Sequence, residues 1–340
     1  MTGPSLFQVQ IARRERLADD IIGLTLTSSD NTPLPAFEAG AHIDLHLPCG
    51  LIRQYSLCSD PADTHHYQLG ILLDPNSRGG SLSVHNDLRE GYPLQISAPR
   101  NLFPLREASH SILLAGGIGV TPMMSMASTL ARQNASFEFH YCARNRARAA
   151  FLPELEQSPW SDHVHLHLDD DEHSALLDLP AVLAEPQQNG SAKRVFICGP
   201  AGFIQFVRES AAEAGWHNDQ IHFEQFSAPD SQGTKTENGS TEVTGSTTDT
   251  TSADFEIVVA SSGQVIPVAA GQSAANAMRA AGLEVSVSCE QGICGSCLTP
   301  VLDGTPEHND YFQTDAEKSS NRQFTPCCSR AKSHRLVLDI

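Results

Sequence analysis

The stretch Cys289-Glu290-Gln291-Gly292-Ile293-Cys294-Gly295-Ser296-Cys297 carries three cysteines spaced C-x4-C-x2-C, and Cys327 follows thirty residues later. This spacing is the ligand pattern of a plant-type [2Fe-2S] cluster, in which four thiolates converge on two irons. Gly292 and Gly295 let the backbone curl closely around such a cluster, where a Cβ would collide or would turn an amide away from a sulfide. The sequence therefore predicts an iron–sulfur site in the C-terminal part of the chain.

Two alternatives exist for these cysteines, a zinc site and buried free thiols. Structural zinc usually takes its cysteines as two short C-x2-C-like pairs, whereas this stretch has one such pair and one further thiol upstream. The pattern therefore favours an iron–sulfur cluster. Five cysteines remain outside the set, and an odd total of nine over 340 residues is not typical of a disulfide framework. Most of the five are predicted to be small buried hydrophobic residues.

Length and composition limit what surrounds this loop. A chain of 340 residues with 40% hydrophobic and 18% charged residues is long enough for two or three globular domains. The formal net charge of −18 argues against nucleic acid or an anionic membrane as a partner. No basic and then apolar signal segment opens the sequence, and no apolar run approaches the roughly 20 residues of a membrane span. We therefore expect a cytoplasmic protein.

Residues 1–104 carry short strand-like runs that Gly and Pro interrupt at close intervals. This punctuation favours an antiparallel β-barrel over βαβ units. The predicted strands run from Phe7 to Ile11, Ile21 to Leu26, His42 to Leu47, Arg53 to Leu57, Tyr67 to Leu72 and Leu94 to Ile96.

Two motifs in this first domain could bind a phosphorylated ring. In R-x-Y-S at 53–56, strand alternation puts Arg53 and Tyr55 on one face, where a cation and a flat ring suit a phosphate and an isoalloxazine. In R-G-G-S at 78–81, two glycines and a hydroxyl lead into a predicted helix from Leu82 to Leu88, which makes a possible phosphate cradle. The alternatives are ordinary residues on the outer face of a barrel and an ordinary helix cap.

From about residue 105 apolar strands alternate with helices. A predicted strand from Ser111 to Ala115 is followed by G-G-I-G-V-T-P at 116–122 and a helix that Thr121 can cap. Further strands are predicted from Phe137 to Cys142 and from Val195 to Ile197, the latter ending in C-G-P at 198–200 before another helix. Such alternation implies a parallel sheet that binds its ligand at the carboxyl ends of the strands, where both glycine motifs fall. A tight turn without a ligand is the alternative for the first motif.

Residues 228–253 are predicted to be a flexible linker. Eight Thr, four Ser and three Gly among the 23 residues from 230 to 252 leave too little apolar surface to order the segment. As a random coil its ends would lie roughly 25 Å apart. The last domain, 254–340, begins with strands from Phe255 to Ala260 and Gln264 to Val268 and with a helix that Ser273 can cap.

Three histidines invite a second metal hypothesis. His163, His165 and His167 would share one face of a strand, and three aliphatic residues would share the other. That alternation is typical of a half-buried edge strand. No second group of ligands is evident in the sequence, so the edge strand is the favoured interpretation.

In this order, the motifs R-x-Y-S, R-G-G-S, G-G-I-G-V-T-P, C-G-P and C-x4-C-x2-C make the chain resemble the phthalate dioxygenase reductase family, which includes vanillate demethylase reductases. The resemblance covers nearly the whole chain. It implies a multidomain fold, with an FMN-binding antiparallel β-barrel over 1–104 and an NAD-binding α/β domain with a parallel sheet over 105–227. After the linker, a plant-type [2Fe-2S] ferredoxin domain of the α+β, β-grasp type would cover 254–340.

The resemblance also assigns residues to each cofactor. Arg53 and Ser81 would contact the FMN phosphate beside Gly79 and Gly80, and Tyr55 and Ser56 would contact the ring, with Ser56 near N5. Phe226 would cover the flavin face, and Ser56, Cys198 and Phe226 are the predicted catalytic residues. The predicted nicotinamide site consists of Gly116, Gly117, Gly119, Thr121, Cys198, Gly199 and Pro200. The predicted cluster ligands are Cys289, Cys294, Cys297 and Cys327, where ferredoxin spacing selects Cys327 over Cys328.

These cofactors imply a direction for the electrons. NADH delivers two electrons as a hydride, a [2Fe-2S] cluster accepts one at a time, and a flavin can do both. The resemblance therefore implies a monomeric reductase that passes electrons from NADH through FMN and the cluster to a terminal oxygenase of the Rieske non-haem iron type. The alternatives are a diiron monooxygenase or a haem protein as acceptor, and a non-catalytic electron carrier or redox sensor. No 2-His-1-carboxylate triad or haem motif can be identified from the sequence.

The choice of nucleotide depends on three arginines. NAD sites often carry an acidic residue after the second strand, whereas Arg144, Arg146 and Arg148 follow it here. Arginines at this place could hold the 2′-phosphate of NADPH or could begin a solvated helix. The preference for NADH is therefore implied by the resemblance alone.

Overall fold

The computed structural model describes residues 6–30, 32–75, 77, 79–170, 176–188, 191–226, 254–285, 287, 290–293 and 295–340. The predicted linker, Arg78, Cys289 and Cys294 lie outside the described residues. The chain divides into two compact units, Met1–Phe226 and Ser227–Ile340. No helix in the described part of the chain combines the length and the apolar character that a membrane crossing requires.

The first unit begins with an antiparallel sheet and one helix. Its elements are β1 (Leu6–Ala18), β2 (Ile21–Ser28), β3 (His42–His46), β4 (Ile52–Ser56), β5 (Tyr67–Leu72), α1 (Gly80–Asp87) and β6 (Pro93–Ser97). The strand order is β4-β3-β6-β1-β2-β5, and every neighbouring pair is antiparallel. The two edge strands also approach each other, so the sheet curves toward a barrel around an apolar core. This sheet confirms the predicted antiparallel architecture.

Strand β1 is much longer than the sequence predicted. It continues to Ala18 instead of ending at Ile11. Its register with β2 shifts between Ile11 and Arg13 and again between Arg16 and Ala18. Such bulges interrupt the two-residue alternation on which the prediction depended, so the second half of the strand carried no recognisable pattern.

The first unit continues with a parallel sheet and its helices. The elements are β7 (Ser111–Gly116), α2 (Val120–Arg132), β8 (Phe137–Ala143), α3 (Leu152–Gln157), β9 (Val164–Leu168), α4 (Leu179–Val182), β10 (Gln187–Gln188), β11 (Ser191–Ala192), β12 (Arg194–Cys198), α5 (Ala201–Glu213) and β13 (Ile221–Glu224). The order β13-β12-β7-β8-β9 makes β9 an edge strand, as predicted. Helix α2 packs on one face of the sheet, and α4 and α5 pack on the opposite face of β7, β12 and β13.

One predicted helix cap is wrong. The residue before α2 is Gly119, and Thr121 Oγ1 donates instead to the carbonyl of Ile118 at 3.0 Å. A short 3-10 turn over Gly117–Gly119 runs directly into α2 and leaves no extended residue at Thr121 to act as the cap.

The antiparallel and parallel sheets pack closely within the first unit. A Cβ on Gly70 of β5 would lie 2.9 Å from both Phe151 Cε2 and Thr121 Cγ2. The amide of Gly40 donates to Ser125 Oγ at 3.3 Å. Side chains at the end of β4 can therefore reach groups at the ends of the parallel strands.

The second unit holds a mixed sheet, as expected for an α+β domain. Its elements are β14 (Phe255–Val259), β15 (Val265–Val268), α6 (Ala274–Ala280), β16 (Thr299–Asp303), β17 (Pro306–Glu307), α7 (Asp315–Ser320), β18 (Gln323–Phe324), β19 (Arg330–Ala331) and β20 (Arg335–Leu338). The main sheet has the order β15-β14-β20-β16-β18, with β14 and β20 parallel. Ser273 caps α6 by accepting from the Asn276 amide, which confirms the predicted cap.

Candidate functional site

The two glycine motifs of the parallel sheet touch each other through their backbones. A Cβ on Gly119 would lie 2.1 Å from the carbonyl oxygen of Cys198, and a Cβ on Gly199 would lie 3.0 Å from Gly116 Cα. A Cβ on Gly116 would meet Pro200 Cδ at 3.0 Å. Because no side chain fits between these segments, the ends of β7 and β12 form one continuous surface of bare backbone beside the start of α2. Such a surface suits a pyrophosphate group.

Three polar groups converge where the two sheets of the first unit meet. Ser56 at the end of β4 donates from Oγ to Glu224 Oε2 at 3.3 Å. Glu224 at the end of β13 is the register partner of Cys198 on β12. Ser56 and Cys198 are both buried. The structure therefore brings two of the three predicted catalytic residues together around a carboxyl group.

Both ionisable groups of this cluster are uncharged near neutral pH. Burial raises the pKa of the Glu224 carboxyl to about 8, and the hydrogen bond from Ser56 opposes that rise. Burial also raises the pKa of the Cys198 thiol well above its usual range, with the Glu224 charge as the second cause. A neutral thiol is a poor nucleophile, so this cluster is not built for covalent catalysis. It offers a dry and uncharged polar environment instead.

Glu224 was not predicted from the sequence. The nearby Phe226 received a role through the E-Q-F segment, but the carboxyl group received none. A four-residue strand gives too short an alternation to reveal that its last residue turns its half-buried carboxyl toward Ser56. The fold places Phe226 two residues beyond β13, with 36% of its surface exposed.

The two candidate phosphate motifs also meet. A Cβ on Gly80 would lie 2.6 Å from Arg53 Nε, so the arginine packs on the bare backbone that begins α1. Gly79 precedes α1 with φ 93°, and no side chain caps this helix terminus. Ser81 Oγ donates to Ser77 Oγ at 3.0 Å and accepts from the Asp74 amide at 3.1 Å. A guanidinium beside a helix N-terminus suits a phosphate group, so these residues fit the phosphate of FMN.

The remaining predicted residues occupy less specific positions. Tyr55 is half-buried against the core of the antiparallel sheet, and burial raises the pKa of its phenol. Thr121 is buried against Gly70, Gly117 has φ 55°, and Pro200 is exposed immediately before α5.

Two of the three arginines near the predicted nucleotide site pair with carboxylates. Arg146 forms an ion pair with Glu156. The guanidinium of Arg148 lies 3.6 Å from Asp20 Oδ2. Two of the three arginines that could bind a 2′-phosphate therefore already lie beside carboxylates.

In the second unit, the described part of the cysteine loop fits a cluster. Cys297 is buried in a small apolar group with Ala275 and Val287, and the Cys327 side chain packs against this group and hydrogen-bonds with Cys297. Cys328 also hydrogen-bonds with Cys327, and its Sγ atom lies 3.3 Å from Thr325 Oγ1. Gly292 and Gly295 have φ values of 74° and 66°, in the left-handed region that favours glycine.

Glycine at these two positions also leaves room that a side chain would fill. A Cβ on Gly292 would lie 2.5 Å from Cys328 Sγ, and a Cβ on Gly295 would lie 2.5 Å from Phe312 Cζ. The loop can therefore wrap tightly only with glycine at both places, as the sequence predicted.

Comparisons with known proteins agree with this arrangement. A profile for the oxidoreductase NAD-binding domain matches residues 113–209, and one for the 2Fe-2S iron-sulfur cluster binding domain matches residues 257–332. A vanillate O-demethylase oxidoreductase from a Pseudomonas species is 47% identical over 336 residues, which cover 98% of this chain and 100% of the relative. Phthalate dioxygenase reductase from Burkholderia cepacia is 35% identical over 345 residues, with 100% of both chains covered.

A solved structure of phthalate dioxygenase reductase superposes with a TM-score of 0.73 at 35% sequence identity. The match covers 99% of this chain and 98% of that one. That structure is described as modular, for electron transfer from pyridine nucleotides to [2Fe-2S]. The likeness therefore extends over both units.

Proposed function

The chain belongs to the phthalate dioxygenase reductase family, and we propose that its partner is a Rieske-type non-haem iron oxygenase that demethylates vanillate or a related methoxylated aromatic acid. The chain is a reductase component that passes electrons from NADH through FMN and a [2Fe-2S] cluster to an oxygenase or demethylase.

One observation carries the choice of demethylase. The identity to the Pseudomonas vanillate O-demethylase oxidoreductase is 47%, and the identity to phthalate dioxygenase reductase over an equally complete alignment is 35%. Both alignments cover nearly the whole chain, so the two identities compare the same residues. The higher identity supports a partner of the demethylase kind.

The first unit supports hydride transfer through the positions of its residues. FMN, when bound, accepts hydride from NADH and passes the electrons on singly. Arg53 and the start of α1 would hold its phosphate, and Ser56 would lie beside the ring. The bare backbone of Gly116, Gly119 and Gly199 would admit the pyrophosphate of NADH. Cys198 and Glu224, both uncharged, would line the space between the two rings and exclude water.

The second unit supports docking to a partner by its charge. Residues 254–340 contain ten Asp and Glu against six Lys and Arg. An acidic surface favours a basic partner surface, with association rates that fall as salt rises. The monomeric state and the cytoplasmic location stay predictions of the sequence.

The proposal is tested by reconstitution with a purified Rieske-type vanillate demethylase oxygenase. NADH oxidation should require vanillate, and formaldehyde should form from its methoxy group in proportion to the NADH consumed. Benzoate, which lacks a methoxy group, should support neither NADH oxidation nor formaldehyde release. The reductase should contain one FMN, two irons and two sulfides per chain. Rapid ferricyanide reduction without any transfer to this oxygenase would reject the proposed partner and leave the reductase assignment intact.

A further inference from the structure

A cluster of imidazole and carboxylate groups lies on β8 and β9 of the first unit, on residues that belong to none of the cofactor motifs. The parallel register places His140 of β8 directly beside His165 of β9, and Glu138 precedes His140 by two residues on the same face. This is the face opposite α2, because Phe139, Tyr141 and Leu166 pack on the α2 side. The neighbouring strand thus supplies the second group of ligands that the sequence did not reveal.

The distances within the cluster suit a shared ion. His140 Nε2 lies 3.3 Å from Glu138 Oε2. Two ligands about 2.0–2.1 Å from a tetrahedral zinc ion are separated by roughly 3.3 Å, so this spacing is that of two ligands of one metal. Three residues each offer one ligand atom, and these atoms lie within 4.8 Å of one another: Glu138, His140 and His165. The exposed His165 ring stacks on the His140 ring with 4.8 Å between their centroids, so a rotation of this ring would complete the set.

The strongest evidence that a metal ion binds here comes from His140. The residue is only 5% exposed. Its buried Nε2 atom faces Glu138 Oε2 at 3.3 Å but makes no well-formed hydrogen bond within the described residues. A buried imidazole nitrogen without a well-formed hydrogen bond is costly, and a metal ion held between the two groups would satisfy it.

Two further histidines hold the candidate ligands in place. His140 Nδ1 lies 3.0 Å from His167 Nε2, which leaves Nε2 as the ligand atom of His140. His110 Nε2 lies 3.5 Å from Glu138 Oε1, on the far side of the carboxylate. Metal ligands commonly have such outer partners, which fix the orientation and the tautomer of each ligand.

We propose that Glu138, His140 and His165 bind one divalent transition-metal ion of the zinc class, which links β8 to the edge strand β9. Two imidazoles and one carboxylate are a donor set that such ions favour, with water completing the coordination on the exposed side. None of these three residues belongs to the glycine motifs or to the predicted cluster ligands.

The test is zinc binding by the holoprotein, measured by equilibrium dialysis against ZnCl2 with metal analysis and with iron counted in each sample. Wild type should take up one saturable Zn²⁺ per chain while it keeps its two irons. His165→Gln and Glu138→Gln should each weaken binding by at least about tenfold, since loss of even an outer partner costs that much. His167→Gln should weaken it by about tenfold through His140.

His163→Gln provides the matched control. His163 lies in the 3-10 turn that immediately precedes β9. Its Nδ1 atom is hydrogen-bonded to the Phe137 carbonyl at 2.9 Å, and its ring stacks on Phe137. Zinc affinity should stay within about twofold in this variant. Zn²⁺ should also raise the Tm of wild type and of His163→Gln but not that of His165→Gln. Absence of a saturable site in wild type, or equal affinity in His165→Gln, would overturn the proposal.

Discussion

The two units differ in how far apart in the chain their functional groups lie. In the second unit, three predicted ligands fall within nine residues, and one distant thiol completes the set. In the first unit, the contact between Ser56 and Glu224 joins residues 168 positions apart, and Gly119 touches Cys198 across several strands and helices. A cluster site can therefore be recognised in one loop, whereas a hydride-transfer site exists only after two sheets have packed together.

The largest effect is expected from removing the second unit. A truncation after Ser231 would keep every described residue of Met1–Phe226 and would lose all the predicted cluster ligands. Hydride transfer needs only FMN and nicotinamide in apposition, so the fragment should still reduce ferricyanide with NADH. Reduction of cytochrome c and of the partner oxygenase should fall below detection. A fragment that neither binds FMN nor oxidises NADH would show that the two units are not independent.

A smaller effect, loss of the cluster alone, should distinguish Cys327 from its neighbour Cys328. Cys327 packs against Cys297 in the small apolar group, whereas Cys328 lies outside that group, between Cys327 and Thr325. Cys327→Ser should therefore abolish the visible absorption of the cluster and its iron content, with flavin content unchanged. Cys328→Ser serves as the matched control and should keep two irons per chain. The opposite pattern would show that ferredoxin spacing selected the wrong thiol.

The stability of the first unit should depend on pH through Glu224. The pKa of Glu224 is raised from 4.5 to about 8, so between these values the folded state binds more protons than the unfolded state. The free energy of unfolding contributed by this group therefore falls as pH rises through that window. We therefore compare the free energy of unfolding of wild type with that of Glu224→Gln. The wild-type value minus the variant value should fall by about 2 kcal/mol from pH 6 to pH 8, at about 1.4 kcal/mol per pKa unit.

Urea unfolding followed by flavin fluorescence measures this difference, because the flavin reports on the first unit. Glu213→Gln, an exposed substitution on α5, should show the same pH dependence as wild type. If wild type and Glu224→Gln kept a constant difference across this range, Glu224 would be ionised in the folded protein.

The smallest effect concerns nucleotide choice. Because Arg146 pairs with Glu156 and Arg148 lies near Asp20, we expect kcat/KM to be higher for NADH than for NADPH. Arg146→Ala should change the ratio of the two values by no more than about fivefold, since an exposed ion pair contributes at most about 1 kcal/mol. Initial rates with ferricyanide as acceptor measure both constants. A wild-type preference for NADPH would identify the arginines as specificity residues.

The order of the sheets, the presence of a cluster and the family could all be predicted from the sequence alone. These depend on local signals, namely the spacing of Cys289, Cys294 and Cys297, the glycine motifs and the alternation of apolar residues. Local signals survive without the fold because ligand spacing and strand period are properties of neighbouring residues.

The contacts that these motifs make could not be predicted, because they form only when the chain folds. Gly80 receives Arg53, Ser56 reaches Glu224, and His140 lies beside His165, although each pair comes from different elements. Strand pairing and burial arise from contacts between residues that are distant in the chain. Burial in turn raises the pKa of Glu224, and it leaves His140 Nε2 without a well-formed hydrogen bond among the described residues. The sequence of a short strand does not show which of its side chains will be buried, so neither property could be predicted from it.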